Sequence, residues 1–289
     1  MNDYYSLNNI IHKTQEQLRT QGISQANLDA RILVEWITGT NASDRICQPD
    51  MCLSSEQIIQ LEKAVQRRIA GEPVHRIIGT REFYGISFIL SEDTLEPRPD
   101  TETLVDLVLP LLTKHVENAR KTTFLDMGTG SGAIAITILK QIPQSYAVAV
   151  DISEDALNTA TKNAKNAGVI QRFTPLLSDW FNSVTDRFDL IISNPPYIPE
   201  TDIQNLAKEV RLHDPLRALI GGKDGLDFYR KLAHEAKNYL KAKGSIAVEI
   251  GYSQEKEVRN LFEKNGFQCL EMRRDLNGIP RALLFACNH

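Results

Sequence analysis

The first 72 residues carry apolar side chains at the spacing expected of amphipathic helices. A first stripe contains four of them: Leu7, Ile10, Ile11 and Leu18. Residues 28–37 are predicted to form a second helix that ends at Gly39. Its predicted buried stripe contains five side chains: Leu28, Ile32, Leu33, Trp36 and Ile37.

A third helix is predicted from a cap signal. Ser54 and Gln57 have the spacing of a capping box, in which each side chain bonds the other residue's main-chain N–H. Apolar residues then recur at helical spacing until Gly71 and Pro73 end the segment. We therefore expect a small helical bundle over residues 1–72.

A different pattern follows. Residues 83–90 are rich in β-branched and aromatic side chains and predict a strand, which could be half of a hairpin. Pro97 and Pro99 then fix an extended segment. Residues 73–100 are interpreted as a linker with a β-hairpin.

From residue 101 to residue 289, predicted helices and strands alternate. The predicted strands lie near residues 123–127, 146–150, 172–177, 188–193, 245–250, 267–273 and 281–287. The predicted helices lie near residues 101–116, 133–141, 153–166, 226–241 and 254–265. This alternation predicts an α/β domain with a seven-stranded, mostly parallel, doubly wound sheet.

Composition and charge narrow the class of protein. With 42% hydrophobic and 24% charged residues, the chain has the composition of a globular protein. Because 37 acidic residues stand against 33 basic ones, no basic platform for direct nucleic-acid binding is expected. The four cysteines form no C-x-x-C pair, so no metal site is expected.

Targeting signals are also absent from the sequence pattern. Residues 1–5 have no cationic start and no apolar stretch follows them, so no signal peptide is expected. No apolar run approaches 18 residues, so no membrane segment is expected either. A cytoplasmic protein is the resulting expectation.

A glycine-rich turn follows the strand at 123–127. It consists of five residues in a G-x-G-x-G arrangement: Gly128, Thr129, Gly130, Ser131 and Gly132. Asp151 stands at the end of the next predicted strand, where a carboxylate can accept hydrogen bonds from both ribose hydroxyls of a nucleoside. The alternative is that the glycines only form a tight turn. The complete order of strand, glycines, helix, strand and acid favours a nucleoside cofactor.

The predicted strand 188–193 ends in a tetrapeptide with its own chemistry: Asn194, Pro195, Pro196 and Tyr197. The prolines stiffen the loop and remove two N–H donors, so carbonyl oxygens and the Asn194 side chain remain to accept from a substrate –NH2 group. Tyr197 offers an aromatic wall for a planar amide or base. The alternative is a rigid turn without function.

Taken with the order of the strands, the glycine turn after Asp126 resembles that of class I S-adenosylmethionine-dependent methyltransferases. Nearly the whole chain then resembles the HemK/PrmC family of peptide chain release factor glutamine methyltransferases. The motifs that carry this resemblance are residues 71–74, 82–85, 97–102, 126–132, 179–181, 194–197 and 221–226. Glu96 departs from the family pattern, in which an apolar residue is expected before Pro-Arg-Pro.

The resemblance implies an activity and a site. The implied reaction is methyl transfer from S-adenosylmethionine to the side-chain amide nitrogen of the glutamine in the Gly-Gly-Gln motif of bacterial class I release factors. Residues 128–132, Asp151, Trp180 and Asn194 would contact the cofactor. Residues 194–197 would contact the glutamine, with Asn194, Pro195 and Tyr197 as the catalytic residues.

Some residues and functions remain open at this stage. Arg98 and Glu102 are candidates for the site wall, and a linker ion pair is an equal alternative. His213 is left without a catalytic role. The alternative functions are a glutamine methyltransferase for a ribosomal protein, a DNA or RNA amino-methyltransferase, and a translation-associated binding module. A monomer is expected, and the helical region is expected to recognise the release factor.

Overall fold

The computed structural model describes residues 6–48, 51–117 and 121–287. The chain divides after Gly79 into two compact units. Residues 1–5, on which the expectation of no signal peptide rests, lie outside the described ranges. No helix within those ranges is both long and apolar enough to cross a membrane.

The smaller unit is helical. Its described helices are α1 (Leu7–Thr20), α2 (Ala26–Thr38), α3 (Ala42–Cys47), α4 (Ser55–Ile69) and α5 (Val74–Ile78). The predicted capping box is confirmed, because the Gln57 N–H donates to Ser54 Oγ at 3.2 Å and the Ser54 N–H donates to Gln57 Oε1 at 2.9 Å. Helices α3 and α5 were not predicted, since each is too short to show a full helical repeat.

The predicted buried stripe of α2 is wrong in part. Leu28 and Trp36 are 39% and 46% exposed. Leu33 is buried as predicted, and Ile32 and Ile37 are half-buried. The other buried residues of α2 were not predicted: Ala26, Asp29, Ala30 and Val34. The prediction favoured large apolar side chains, whereas two of the residues that this helix buries are alanines.

The larger unit begins with a hairpin of β1 (Thr80–Phe83) and β2 (Ile86–Ile89). The predicted hairpin is therefore present, but the strand predicted over residues 83–90 begins too early, because β2 starts at Ile86. Tyr84 and Gly85 form the two-residue turn, with φ angles of 53° and 73°. Such a turn matches the twist of a hairpin and requires positive φ at both positions.

Helices and strands alternate through the rest of this unit. The helices are α6 (Glu102–Glu117), α7 (Ala133–Gln141), α8 (Glu154–Asn166), α9 (Lys208–His213), α10 (Asp227–Glu235) and α11 (Glu255–Lys264). The strands are β3 (Thr122–Met127), β4 (Ser145–Asp151), β5 (Phe173–Leu177), β6 (Phe188–Ser193), β7 (Leu240–Glu249), β8 (Phe267–Arg274) and β9 (Pro280–Cys287).

The predicted helix over residues 226–241 is too long. Helix α10 ends at Glu235, a single 3-10 turn follows, and Leu240 already pairs with Phe188 as the first residue of β7. Lys241 lies in this strand, and its Nζ donates to Asp189 Oδ2 at 2.7 Å. Strand pairing with β6 overrides the helical preference of this alanine- and lysine-containing segment.

Within the described residues the sheet has seven strands in the order β5-β4-β3-β6-β7-β9-β8. Neighbours from β5 to β7 are parallel, and β9 is antiparallel to both β7 and β8. The predicted seven-stranded, mostly parallel sheet is confirmed. Buried apolar side chains cover both of its faces.

The strand order explains where a ligand can bind. The chain moves outward from β3 to β4 and β5 and then returns to the other side of β3 at β6. The connections therefore diverge at the carboxyl ends of β3 and β6. An open α/β sheet binds its ligands in the crevice at this switch point.

Candidate active site

A cavity of about 320 Å³ lies at the carboxyl ends of the parallel strands. The ends of four of these strands and the loops that follow them contribute to its wall: Gly128 to Ser131 after β3, Asp151 at the end of β4, Trp180 after β5, and Asn194 to Pro196 after β6. Further lining residues come from the segments 93–101 and 217–218, from the start of α7 and from α10. The structure thus brings the glycine turn and the Asn-Pro-Pro loop into one pocket.

The three glycines of the turn have two different tasks. Gly128 and Gly130 have φ angles of 74° and 55° and line the pocket, and a Cβ atom on either would meet no protein atom within 4 Å. At Gly132 a Cβ atom would lie 2.8 Å from Ile136 Cδ1 and 3.1 Å from Ala160 Cβ. Gly132 therefore permits close packing of α7 on α8.

The sequence resemblance implies that Gly132 contacts the cofactor, but the structure gives it a packing role. Among the described residues, the pocket wall includes Gly128 to Ser131 but not Gly132. Open space that a ligand can occupy lies beside Gly128 and Gly130, whereas protein atoms fill the space beside Gly132.

This difference gives a testable prediction. Both Gly130→Ala and Gly132→Ala introduce a side chain at positive φ, at a cost of roughly 1–2 kcal/mol. We expect Gly132→Ala to lower the free energy of unfolding by a further 1–3 kcal/mol or so, because it also overpacks the core. Gly130→Ala should instead lower cofactor affinity. Denaturant unfolding and calorimetric titration measure the two effects, and equal unfolding free energies would contradict the assignment.

Asp126 supports the turn from inside the protein. It is completely buried, and its Oδ2 accepts from Thr129 Oγ1 at 2.7 Å and from the Ala135 N–H at 3.2 Å. Burial raises its pKa to about 7, against the opposing effect of these hydrogen bonds. The sequence motif includes Asp126, but this role depends on the helix start that follows.

Asp151 is joined to the same turn. Its Oδ2 accepts from the Gly130 N–H at 2.8 Å, and its Oδ1 accepts from the Ser153 N–H at 3.0 Å. Burial raises the pKa of this carboxyl, while the hydrogen bonds from Ser153 and Gly130 lower it. The carboxylate is therefore oriented by main-chain donors at the pocket wall.

Trp180 lines the pocket, as the sequence suggests, and has a positive φ of 54°. Its ring stacks on Phe228, with centroids 4.7 Å apart and an angle of 24° between the planes. Phe228 also lines the pocket, and no sequence signal marked it. It comes from α10, far along the chain, so only the packing of α10 reveals it.

Asn194 is oriented by a residue that the sequence left without a role. Its Nδ2 donates to Thr101 Oγ1 at 3.1 Å, and both residues line the pocket. Because the amide is planar and its nitrogen branch is used in this contact, Oδ1 is the atom that can accept from a substrate N–H. Pro195 and Pro196 lie in the same wall.

The structure does not place Tyr197 in that wall. Among the described lining residues the loop contributes Asn194 to Pro196 only. The Tyr197 hydroxyl lies 3.5 Å from Glu249 Oε1, and its carbonyl oxygen accepts from Gln254 Nε2 at 3.0 Å. Tyr197 thus anchors the loop to neighbouring elements.

Of the other residues that the sequence singled out, Arg98 and Glu96 lie in the pocket wall, and Glu102 and His213 lie outside the described wall. Arg98 lines the pocket and its Nη2 lies 2.5 Å from Oδ2 of the buried Asp214, so it is both wall and ion pair. Glu102 accepts from the Tyr84 N–H at 2.9 Å and is not among the lining residues described. Glu96 is 7% exposed and lies 3.6 Å from Arg81 Nε, so an ion pair accompanies the burial of this acid. His213 ends α9.

Comparison with known proteins identifies the family. The release factor glutamine methyltransferase of Agrobacterium fabrum is 43% identical to this chain over 270 residues, which are 93% of each protein. A relative of the same name from Caulobacter vibrioides is 39% identical over 93% of this chain and 92% of its own length. The chain belongs to the release factor glutamine methyltransferase family.

Other matches agree with this family. Residues 9–79 match the family described as PrmC N-terminal domain, and residues 101–219 match the methyltransferase small domain. A bifunctional methyltransferase from Rickettsia felis is 36% identical over 98% of this chain and 58% of its own length. The expected family and its methyltransferase class are confirmed.

Solved structures support the fold. The ribosomal protein L11 methylase from Lactobacillus delbrueckii subsp. bulgaricus has a TM-score of 0.50 and 19% identity, covering 71% of this chain and 94% of that one. The hMettl16 catalytic domain, in complex with a MAT2A 3'UTR hairpin, has a TM-score of 0.57 and 14% identity, covering 82% and 83%. At these identities the likeness concerns the class I methyltransferase fold alone.

Proposed function

We propose that this protein transfers a methyl group from S-adenosylmethionine to the side-chain amide nitrogen of the glutamine in the Gly-Gly-Gln motif of bacterial class I release factors. The observation that carries the proposal is the placement of Asn194 and the two prolines in the same pocket wall as the glycine turn. The names of the family's relatives support the substrate.

The pocket fits the cofactor. Gly128 and Gly130 leave open space beside the main chain, Asp151 presents carboxylate oxygens to the two ribose hydroxyls, and Trp180 offers a face to the adenine. Thr129, Ser131 and Asn194 complete this binding set, and Gly132 contributes by packing. S-adenosylmethionine supplies an electrophilic methyl group when bound and leaves as S-adenosylhomocysteine. No metal is part of this proposal.

The Asn-Pro-Pro loop serves the substrate. An amide nitrogen is a poor nucleophile because its lone pair is delocalised. Asn194 Oδ1 and the carbonyl oxygen of Pro195 accept from the two amide hydrogens. These hydrogen bonds raise the electron density on the substrate nitrogen and direct its lone pair toward the methyl group. Pro196 stiffens the loop, and Tyr197 anchors it through Glu249. Positioning of this kind accounts for most of the expected catalysis.

The helical unit is assigned to recognition of the release factor. It carries none of the pocket's described lining residues, and its apolar core is separate from those of the larger unit. A glutamine on a mobile loop binds weakly by itself, because ordering the loop costs entropy. We propose a cytoplasmic monomer that binds the release factor as a protein and makes no direct nucleic-acid contact.

One experiment separates the candidate functions. Labelled S-adenosylmethionine is supplied with an intact release factor, a ribosomal protein or DNA, and the methylated product is identified by mass spectrometry. We expect an added methyl group on the Gly-Gly-Gln glutamine. Label in the ribosomal protein or in DNA alone would favour one of the two rival enzymes, and cofactor binding without any transfer would favour a binding module.

The ribose assignment makes a separate prediction. Asp151→Ala should weaken S-adenosylmethionine binding by roughly 1.5–3 kcal/mol, or about 10- to 150-fold, because a charged acceptor is lost. Asp151→Asn is the matched control, since it keeps one acceptor oxygen for the Gly130 N–H and should lose less. Calorimetric titration measures both. Affinity equal to that of the unchanged protein in Asp151→Ala would contradict the assignment.

A further inference from the structure

Glu249 is a buried carboxylate with no part in the pocket wall. It is the last residue of β7, and only 1% of it is exposed. Strand β7 runs parallel to β6 with Val248 opposite Ser193, so Glu249 at the end of β7 lies near Asn194, the first residue after β6. Burial of a carboxylate is costly unless its oxygens receive hydrogen bonds.

Polar groups of the substrate loop and of the turn before α6 surround the Glu249 carboxyl group. Glu249 Oε1 lies 3.5 Å from the Tyr197 hydroxyl. Thr101 and Asn194 also act on the carboxyl group, since hydrogen bonding from both lowers its pKa. Oε2 is buried and has no hydrogen-bond partner at standard geometry among the described residues.

The Thr101 hydroxyl joins Glu249 to Asn194. It accepts from Asn194 Nδ2 at 3.1 Å. A hydroxyl has a single proton to donate, and a carboxylate can only accept. When the Thr101 proton is directed to Glu249, the hydroxyl oxygen must accept from Asn194. The direction of these two hydrogen bonds therefore determines that the NH2 group of Asn194, and not its oxygen, faces Thr101.

We propose that Glu249 is a positioning residue that acts through Thr101 to keep the Asn194 amide in the orientation that presents Oδ1 to the substrate amide. This inference rests on the proposed function. Glu249 lies outside the described pocket wall, so it acts on Asn194 and not on the reacting atoms. A carboxylate at position 249 can only accept from Thr101, which keeps the Asn194 NH2 group directed at Thr101. A protonated carboxyl or an amide side chain can donate to Thr101 instead, and the Asn194 amide can then turn its oxygen toward Thr101.

The proposal implies a pH dependence. Burial raises the pKa of Glu249 to about 7. The accepting form is therefore populated above about pH 7, and turnover should rise with pH through that region. The charged and titratable groups around this carboxyl come from β9, the turn before α6, the loop after β6, and α10: Arg281, Asp100, Tyr197 and Tyr229.

The effect of Asp126 on the pH profile must be distinguished from that of Glu249, because the pKa of Asp126 is also about 7. Glu249→Gln makes the separation, since it removes one of the two carboxyl groups and preserves side-chain size. If the rise in turnover persists in Glu249→Gln, it belongs to Asp126 or another group and the proposal fails.

Kinetics on intact release factor provides the first test. At saturating cofactor we expect Glu249→Gln to lower kcat by about 10- to 100-fold, the effect of losing one hydrogen bond to a charged group. Thr101→Val should lower kcat by a similar factor, whereas Thr101→Ser should retain most of the turnover because it keeps the hydroxyl. In Glu249→Gln the cofactor affinity should change much less than kcat, since Glu249 lies outside the described pocket wall. A loss of cofactor affinity parallel to the loss of kcat would contradict a positioning role.

A double-mutant cycle provides the second test. If Glu249 acts only through Asn194, Glu249→Gln adds no further loss to Asn194→Ala. If the two losses multiply, the residues act independently and the proposal is wrong.

A spectroscopic readout keeps failure of this proposal distinct from failure of the proposed function. In the full-length protein with labelled asparagine, the side-chain NH2 signals of Asn194 are identified by their absence in Asn194→Ala. We expect these signals to shift with pH near 7, and not to shift in Glu249→Gln. This test needs no substrate. Absence of methylation with a normal titration rejects the proposed function alone, whereas absence of the titration rejects the positioning role.

Discussion

Asn194→Ala is expected to lower methyl transfer to release factor on the order of 10²–10³-fold at saturating cofactor, by analogy with loss of one transition-state hydrogen-bond partner. Asn194 Nδ2 is fixed by Thr101 Oγ1 at 3.1 Å, so Oδ1 accepts without a further loss of side-chain freedom. Single-turnover measurements with labelled S-adenosylmethionine check the prediction.

The fold should survive this change, because the loop is stiffened by Pro195 and Pro196 and anchored by Tyr197. Asn194→Asp is the matched variant, since it keeps the size and one acceptor oxygen but cannot donate to Thr101 as an ionised group. Near-normal turnover in Asn194→Ala, with an unchanged melting temperature, would remove Asn194 from the mechanism.

Removal of residues 1–79 is expected to lower kcat/KM for intact release factor by about 100-fold or more, or roughly 2.7 kcal/mol. The reason is that the helical unit is assigned to docking the substrate, and without docking the full entropic cost of ordering the glutamine loop falls on the pocket. The cut follows the division of the chain after Gly79. Cofactor affinity should remain within about twofold, since the described lining residues begin at Asp93.

A short Gly-Gly-Gln peptide is the matched control for this truncation. It cannot use a docking surface, so it should be an equally poor substrate for the full chain and for the truncated chain. The truncated protein must first be shown to be monodisperse and to unfold cooperatively. If it is, and if it methylates intact release factor as efficiently as the full chain, the docking role is wrong.

Local patterns in the sequence predicted much of the fold. The glycine turn, the Ser54 cap and the alternation of helices with strands are short-range signals, because each depends on residues within a few positions of one another. The same signals failed where a local preference competed with a tertiary one. Tyr84 and Gly85 stand within an apolar run that resembles one strand, and the segment after Glu235 has helical residues that pair with β6 as a strand.

The chemistry of the site divides in the same way. The sequence by itself indicated the family, and its contiguous motifs predicted the glycine turn and the Asn-Pro-Pro loop. Asp151 was predicted from its place at the end of the next strand. Only the tertiary structure decided that Gly132 packs against α8, that Tyr197 anchors the loop, and that Thr101, Phe228 and Glu249 belong to the site or its support. Thr101 and Asn194 are 93 positions apart, and their hydrogen bond joins the turn before α6 to the loop after β6. Contacts at that separation leave no periodicity in a single sequence, so their partners could not be derived before the sheet order was known.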